Sequence, residues 1–401
     1  MSKFLRVLIC SIFGLILIVA CSDSPTSVPD NIIAGGDKVQ FVKYDTQESN
    51  PDQSSSNFEK LESLYGAEKL IIGENSYAKS SILFSWNIYL DDSTKDYINS
   101  GEVTLDTAFV RMRIAYHLGT TSPVYFTAHE LQQDWYVTTL KRDSLQYYYS
   151  DGTPNVISSD IIYTDTTVSF QLNKDVVNQW LKFQADSNLT NTNYGIILRP
   201  ENGTQGFVGF QATSYYSTDS LQTVLSIVLK KSGEFYDSMA VYPNRDLHVV
   251  ESVGNVPLDS QDKIILEGGY ALRGKLFFDV SALPKDVTIS KATLDLSVDE
   301  NNTINGDPGS DSLIAQMYFD STRDSLTADS NSYSFMKRSG SIFSGNISWM
   351  VQKWINGTAN QGIRLVLYDE LSSVAKIVLY GSKETNPALR PRLTIYYPKK
   401  L

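Results

Sequence analysis

The sequence predicts an all-β protein built from two tandem β-sandwich domains, each with one short helix. From Leu70 onward, short segments of alternating polar and apolar residues are separated by clusters of Gly, Asn, Asp and Ser. This pattern is typical of antiparallel strands that bury one face and expose the other. The order of these segments also repeats along the chain, and 401 residues are more than one average domain contains. These features favour two copies of one β domain over a single large fold.

The internal repeat consists of short segments that match without gaps and follow the same order in both halves. The matched pairs are 82–86 with 276–280, 103–112 with 287–296, 177–181 with 351–355, and 221–227 with 389–395. The boundary between the copies is expected near residue 231. The sequence therefore predicts one domain at 38–231 and a second at 232–401.

A short helix is predicted in each copy by the repeated Val-x-x-Trp pattern. Val177 and Trp180 are three residues apart, as are Val351 and Trp354. Residues at this spacing share one face of a helix. Because both tryptophans occupy the repeated structural position, we expect them to pack in the core rather than to bind a ligand.

The N-terminal region predicts export and lipid anchoring. Lys3 and Arg6 precede an apolar run at 7–20, which is shorter than the ~20 residues that a membrane-spanning helix needs. The small residue before Cys21 resembles the lipobox of bacterial lipoproteins. Residues 1–20 are then a signal peptide and Cys21 the acylated N-terminus; an ordinary cleaved signal or an anchor helix is the alternative. Cleavage also removes Cys10, so the mature chain has no disulfide.

The segment at 21–37 is rich in Ser and Pro and ends in two glycines, which predicts a flexible tether between lipid and first domain. The polar stretch at 47–57 is predicted to be a loop. In lipoproteins of this type, an Asp directly after the acylated cysteine favours retention at the inner membrane. This chain has Ser22 there, which favours the outer membrane or cell surface. We therefore expect a cell-envelope protein that contacts the membrane through lipid on Cys21.

Composition argues against nucleic-acid binding. The formal net charge is −11, and an acidic chain attracts polyanions poorly. The 24 tyrosines, together with abundant Thr, Val and Ile, add to the preference for strands.

The second half carries an ordered set of short motifs. They are a strand ending in Phe-Asp with a Ser-x-Leu-Pro turn (273–284), Ile-x-x-Ala-x-Leu-x-Leu (289–296), Val-x-x-Trp-x-x-Gly (351–357), a glycine-led strand (361–365), a Ser-bearing strand (380–382) and Arg-Pro-x-Leu (390–393). In this order they resemble the DNRLRE domain family over about residues 265–397. The first half, 70–230, lacks the Phe-Asp turn and the Arg-Pro pair, so its fold is predicted from the repeat alone.

This resemblance implies a jelly-roll-like β-sandwich of the kind found on secreted and cell-surface proteins. Part of the family is classed as carbohydrate-binding module family 96, whose ligands are polysaccharides such as alginate. The resemblance therefore implies a non-catalytic module that binds polysaccharide. A structural or adhesion protein that contacts envelope proteins is the alternative, and a polysaccharide-degrading enzyme is a third hypothesis.

Exposed tyrosines are the candidate ligand-binding residues. The runs at 147–149 and 215–216 would place alternate rings on opposite faces of a strand, so that one ring of each run is exposed. Exposed rings can stack on sugar faces; tyrosines that pack with a wet hydroxyl are the alternative. The candidates are Tyr147, Tyr149 and Tyr215.

A structural calcium ion is the one cofactor for which the sequence offers ligands. Asp299, Asn301, Asp307 and Asp311 gather the oxygen ligands that calcium takes, although their spacing is not that of an EF-hand. The same residue types are ordinary in turns, which leaves a solvated loop as the alternative.

The sequence offers no motif for catalysis. The three histidines match no metal-ligand spacing, and no phosphate loop or nucleophile elbow is present. Three structural features would separate the hypotheses. An exposed aromatic strip beside Arg or Lys would favour glycan binding. A flat apolar patch would favour adhesion, and a deep cleft with facing carboxylates would favour an enzyme.

Overall fold

A computed structural model describes residues 40–119, 123–213, 222–254, 257–306, 311–326 and 333–399. The predicted signal peptide and tether lie outside the described residues, as do Cys21, Tyr215 and Asp307. No helix of the described ranges is long and apolar enough to cross a membrane.

Strands dominate the described chain. In the first part they are β1 (Phe41–Asp45), β2 (Gln53–Glu59), β3 (Lys69–Glu74), β4 (Ala78–Trp86), β5 (Val103–Gly119), β6 (Phe126–Glu130), β7 (Ile162–Tyr163), β8 (Thr167–Gln171), β9 (Ile196–Pro200), β10 (Gly206–Gln211) and β11 (Val224–Lys231). They continue as β12 (Glu234–Val241), β13 (Pro243–Ser252), β14 (Lys263–Glu267), β15 (Leu272–Phe278), β16 (Lys291–Ser297), β17 (Ser312–Asp320), β18 (Ser325–Leu326), β19 (Tyr333–Ser339), β20 (Ile342–Asn346), β21 (Ile363–Leu367), β22 (Lys376–Tyr380) and β23 (Arg392–Pro398).

Helices are few and short. The α-helices cover Thr46–Ser49, Asp92–Ser100, Lys174–Ala185 and Ser348–Ile355, and 3₁₀ helices cover Arg142–Tyr147, Glu370–Ser372 and Pro387–Leu389. The two helices predicted from Val-x-x-Trp are present. The prediction of one helix per domain is wrong for both sandwiches, because the first also carries Asp92–Ser100 and the second also carries Thr46–Ser49. The predicted loop at 47–57 is instead part of a helical turn and β2.

The strands form two curled antiparallel sheets, so the all-β, two-sandwich prediction is confirmed. The first sheet has the order β12-β11-β5-β10-β3-β4-β9-β6, with β13 on β4, β8 on β5 and β7 on β8. The second has the order β1-β23-β16-β20-β19-β17-β21-β15-β14-β22, with β2 on β15 and β18 on β17.

The two sheets share one pairing pattern, which is the structural form of the sequence repeat. In the first sheet β5 lies between β11 and β8; in the second, β16 lies between β23 and β20. Likewise, β4 pairs with β9 and β13 in the first sheet, and β15 pairs with β21 and β2 in the second. In both sheets the tryptophan-bearing helix follows the strand beside β5 or β16.

The strand pairing crosses the domain boundary that we predicted near residue 231. β1 and β2, from the segment 38–231, pair with β23 and β15 in the second sheet. β12 and β13, from 232–401, pair with β11 and β4 in the first sheet. The first two strands of each sequence copy therefore belong to the sandwich formed mainly by the other copy. Residue alternation marks a strand but not its partner, which is why the predicted boundary at 231 is wrong for these strands.

Each sandwich encloses its own apolar core. In the first, Ile82, Val110 and Trp180 belong to one buried cluster; in the second, Leu294 and Trp354 belong to another. Trp180 is 1% exposed and Trp354 6%, so the prediction that both are core residues is confirmed.

A third buried cluster joins the two sandwiches. It contains Ile71 and Leu83 of the first sheet together with Ile265 and Val378 of the second. Alternation places these side chains on the sheet faces that point away from the two cores. The outer faces of the sheets thus pack against each other, and the two sandwiches share buried apolar surface.

Candidate functional site

The predicted tyrosines of the first sandwich do not lie on a strand. Tyr147 ends a 3₁₀ helix and Tyr148 is its C-cap, so the expectation of alternating faces is wrong. Tyr147 is 65% exposed. Tyr149 is half-buried and lines a cavity of about 650 Å³. Burial raises the pKa of its hydroxyl.

The cations around Tyr149 are already paired. The guanidinium of Arg199 lies 5.6 Å from the centroid of the Tyr149 ring. Arg199 also donates to Glu251 Oε2 at 2.6 Å and to Ser81 Oγ at 2.9 Å. At this corner of the first sandwich, Arg199 therefore already pairs with an acid of the chain.

Of the predicted calcium ligands, Asp299 is paired with a lysine. Asp299 is buried, with Lys263 Nζ 2.8 Å from its Oδ2, and Asn302 Nδ2 donates to the same oxygen at 2.9 Å. Burial opposes the charge of Asp299, but these hydrogen bonds lower the pKa of its carboxyl. Asn301 and Asp311 are exposed. Within the described ranges, no three His, Cys, Asp or Glu side chains are grouped to hold a metal ion.

The second sandwich presents an exposed row of three rings, which we call the aromatic strip: Tyr333, Phe335 and Tyr368. Their exposed fractions are 40%, 46% and 56%. The centroids of Tyr333 and Phe335 are 5.0 Å apart, and those of Phe335 and Tyr368 are 5.5 Å apart. Such separations are those of rings in contact. The strip is thus a continuous apolar surface in contact with solvent.

Strand alternation and register together build this strip. Tyr333 and Phe335 alternate along β19 with Ser334 and Met336, which are buried. Across the sheet, Phe335 pairs with Ile314 of β17, which pairs with Val366 of β21. Tyr368 follows β21 directly, and its N–H donates to Ser312 O at 3.2 Å. The third ring therefore reaches the first two only because β17 holds β19 and β21 in this register.

Polar and cationic groups flank the strip on the same face. Arg364 of β21 donates to Gln316 Oε1 from Nε at 3.0 Å and from Nη2 at 2.7 Å. Arg273 of β15, 5% exposed, donates to both carboxylate oxygens of Glu370 and to Glu62. Burial opposes the charge of Arg273, but the two acids raise the pKa of its guanidinium above the ordinary value.

A groove of about 540 Å³ opens beside Tyr368. We call it the main cavity because it is the larger of the two grooves along these strands. The second sandwich contributes Arg364, Gln316 and Ile314, and the segment leading into β3 contributes Glu68 and Lys69. Its volume lies within the range of about 300–1,000 Å³ that ligand sites occupy. Both sandwiches therefore form its walls.

A second groove of about 300 Å³, the minor cavity, continues along the same strands. It is lined by Lys275 of β15 and Tyr318 of β17, with serines of β2 and the amide of Gln361. Lys275 and Tyr318 lie two residues beyond Arg273 and Gln316, on the same faces of β15 and β17. The two cavities are therefore arranged end to end.

The corresponding face of the first sandwich is covered. The segment between β6 and β7 packs Trp135, Leu140 and Leu145 into one cluster with Leu83 of β4 and Ile197 of β9. Trp135 is fully buried, and its Nε1 donates to Tyr194 O at 2.9 Å. In the described chain, the equivalent strand β21 of the second sandwich carries no apolar cover of this kind, and its outward residues Arg364 and Val366 line the main cavity.

Sequence reasoning missed the aromatic strip because it searched for adjacent tyrosines. The available signal was Tyr333-x-Phe335-x-Lys337, an alternating segment whose first two outward positions carry rings instead of small polar residues. The contribution of Tyr368 depends on strand register, which the sequence alone does not give.

Comparison with known proteins leaves the family open. No family model matches the chain, and no curated protein matches it. The solved structure named BspA_C_WT aligns over 83% of this chain and 91% of its own, at 9% identity and a TM-score of 0.17. The Streptococcus agalactiae AgI/II polypeptide BspA C terminal domain aligns over 87% and 92%, at 7% identity and a TM-score of 0.16. The C-terminal domain of the Streptococcus pyogenes antigen I/II-family protein AspA aligns over 88% and 92%, at 6% identity and a TM-score of 0.17. At these TM-scores the likeness carries no argument, so the fold rests on the strand pairing described above.

Proposed function

We propose that this protein is a non-catalytic lipoprotein of the cell envelope that binds polysaccharide through the second sandwich. The observation that carries the proposal is the aromatic strip of Tyr333, Phe335 and Tyr368 beside the main cavity. It is the feature that favours glycan binding over adhesion, because the strip ends at a groove that Tyr368 lines together with Arg364 and Lys69.

The chemistry of the strip suits a polyhydroxyl chain. Aromatic faces bind the C–H surface of sugar rings, while amides and charged groups beside them exchange hydrogen bonds with hydroxyls. Gln316, Glu68 and Lys69 supply such groups at the edge of Tyr368. A sugar chain could therefore place its C–H faces on the rings and its hydroxyls against these polar groups.

The acids around the cavities support a binding role rather than hydrolysis. Glu370 and Glu62 are both held by Arg273, with contacts of 2.6 and 2.8 Å. Asp324 is shared by Lys60 at 3.2 Å and Arg364 at 3.3 Å. Because each of these three acids is bonded to a cation of the chain, none of them is left as one of the two free carboxylates that glycoside hydrolysis needs.

The proposed anchor and the proposed site belong to the same sandwich. β1 is the first described strand after the tether, and it pairs with β23 at the edge of the second sheet. Lipid on Cys21 would therefore hold the sandwich that carries the aromatic strip close to the membrane. The partners in this proposal are the membrane and a polysaccharide, not a nucleic acid.

A glycan array with soluble protein tests the proposal. The protein would begin at Ser22, without Cys21, and the array would carry neutral and acidic polysaccharides, alginate included, with and without calcium. We expect binding that is lost in Phe335→Ala and Tyr368→Ala but kept in Tyr89→Ala, which removes a ring that is 83% exposed elsewhere on the chain. A calcium requirement would support the predicted ion. Absence of binding by folded protein, or equal loss in Tyr89→Ala, would refute the proposal.

A further inference from the structure

We infer that the turn 321–324, between β17 and β18, is a latch that divides the polysaccharide groove and opens for long chains. This inference rests on the proposed function and concerns the regulation of the same site. Closed, the turn separates the main cavity from the minor cavity. Open, it leaves one groove along β15 and β17, in which several sugar rings can lie in a row.

The carboxylate of Asp324 fastens the latch on the side of the main cavity. Its Oδ2 lies 3.2 Å from Lys60 Nζ, 3.3 Å from Arg364 Nη1 and 3.9 Å from Arg273 Nη1. Arg364 and Arg273 also line the main cavity. Three cations thus converge on one carboxylate that the chain itself supplies.

Other contacts fasten the turn on the side of the minor cavity. Tyr318 Oη donates to Asp324 Oδ1 at 3.1 Å, and Lys275 Nζ donates to Ser321 O at 2.7 Å. Ser321 Oγ donates to Gln361 Oε1 at 3.2 Å. Tyr318, Lys275 and Gln361 all line the minor cavity. The turn therefore lies at the junction of the two cavities and is bonded to residues of both.

The composition of the turn makes Asp324 its main fastening. It consists of Ser321, Thr322, Arg323 and Asp324, so no apolar side chain holds it down, and the Arg323 side chain is 85% exposed. The contacts of Ser321 contribute little net free energy when water or ligand hydroxyls replace them, whereas the Asp324 side chain, 12% exposed, is held by its cations. Segments with few buried apolar contacts open at low free-energy cost while the rest of the fold stays intact.

Opening the latch would favour long chains over short ones. From Arg273 to Phe277, β15 spans about 13 Å at the usual strand rise, and this stretch passes under the turn. A disaccharide would fit in the main cavity with the latch closed. A hexasaccharide would cover both cavities and would have to displace Asp324. Its apparent affinity is therefore the affinity of the open form multiplied by the fraction of molecules that are open.

The test uses two variants of the full soluble chain that weaken the latch without touching the strip. Asp324→Asn removes the shared charge, and Lys60→Gln removes one cation that lies outside both cavity linings. Asp165→Asn is the matched control, since it removes an exposed charge between β7 and β8 of the first sandwich. Two readouts are taken: amide hydrogen exchange of 320–324, and affinity for the disaccharides and hexasaccharides of alginate and of cellulose.

We expect exchange of 320–324 to become about tenfold faster in Asp324→Asn and Lys60→Gln, but not in Asp165→Asn. We also expect the neutral hexasaccharide of cellulose to bind the two latch variants about tenfold more tightly while affinity for its disaccharide is unchanged. The neutral sugars decide this point, because Asp324→Asn also removes a counter-charge from Arg364 and Arg273 of the main cavity. Unchanged exchange in both latch variants would overturn the latch whatever the sugars do. Faster exchange with an unchanged hexasaccharide-to-disaccharide ratio would overturn its role in chain-length selection. Failure of the unmodified protein to bind any glycan would count against the proposed function, and the exchange readout would still decide whether the latch exists.

Discussion

Asp45 in the first described strand and Arg392 in the last form an ion pair that closes the second sandwich. Arg392 Nε donates to Asp45 Oδ1 and Oδ2 at 3.1 and 3.2 Å, and Nη2 donates to Oδ2 at 2.5 Å. Asp45 is only 2% exposed. Its hydrogen bonds to Arg392, against the opposing effect of burial, hold the pKa of the carboxyl far below its ordinary value. The pair joins β1, the strand that follows the predicted tether, to the C-terminal strand β23.

Asp45→Asn is expected to lower the free energy of unfolding by about 2 kcal/mol at pH 7. This is less than the 3–5 kcal/mol typical of a fully buried pair, because the Arg392 side chain is 38% exposed. Asn keeps the side-chain oxygen that accepts from Gln47 N, so the change isolates the charge. Urea unfolding measures the difference, with Asp311→Asn as the control for lost surface charge.

The pH dependence of this effect has a defined sign. Because the pKa of Asp45 is lowered in the folded state, its stabilisation is complete above the ordinary carboxyl range and is lost as pH falls through the folded-state pKa. The difference in unfolding free energy between the unmodified protein and Asp45→Asn should therefore be the same at pH 7 and pH 5, and it should shrink below about pH 4. A gap that stays constant down to pH 2 would show that the charge of Asp45 is not its source.

The exchanged strands predict that the two sandwiches unfold together. β1 and β2 must leave the second sheet, and β12 and β13 the first, before either sequence copy can separate from the other. The third buried cluster adds apolar contact between them. Calorimetry of the soluble protein should show one transition whose calorimetric and van't Hoff enthalpies agree. Two resolved transitions would mean that the exchange does not couple the sandwiches.

Buried His248 predicts a loss of stability in mild acid. His248 of β13 is 0% exposed, and neither ring nitrogen has a hydrogen-bond partner in the described structure. Burial lowers its pKa to about 3, so the folded protein keeps the ring neutral while the unfolded chain protonates it below pH 6.5. Between these two values, each pH unit of acidification costs about 1.4 kcal/mol of stability.

Comparison with His248→Leu isolates this contribution. Leu removes the titratable ring and keeps an apolar side chain at a buried site, while the neighbouring Asp246 is the same in both proteins. Unfolding free energies measured at pH 7, 6, 5 and 4 should fall more steeply in the unmodified protein than in the variant. Parallel curves would show that water or another group satisfies the ring on protonation.

The sequence predicts those features of the fold that depend on residues close together in the chain, and not those that depend on residues far apart. Alternation and Val-x-x-Trp report local geometry, so the strands around Leu294 and the helix carrying Trp354 were predictable. Strand partners are set by tertiary packing, and nothing in the composition of β2 shows that it lies on β15 rather than on β4. The run at Tyr147 became a 3₁₀ helix because packing of Leu145 against the first sandwich outweighed the local preference for a strand.

The same limit applies to the candidate site. Tyr333 and Phe335 are two residues apart and could have been recognised as one exposed face of a strand. Tyr368 and Arg364 join them only through the register of β17, which pairs with both neighbouring strands. A site assembled across a sheet is therefore visible in the sequence only as separate parts.

The segment between β6 and β7, which covers the first sandwich, gives a prediction in which a loss of stability and a loss of glycan binding come from different variants. Trp135 packs with Leu83 and Ile197 on the face that corresponds to the open face of the second sandwich. Because Trp135 is fully buried, Trp135→Ala should cost about 3–5 kcal/mol of unfolding free energy. If the open face alone binds polysaccharide, this variant, assayed well below its melting temperature, should keep the glycan affinity of the unmodified protein. Phe335→Ala should behave in the opposite way, because Phe335 is 46% exposed and its loss creates no cavity. Loss of glycan binding in folded Trp135→Ala would place the binding face, or an essential part of it, on the first sandwich.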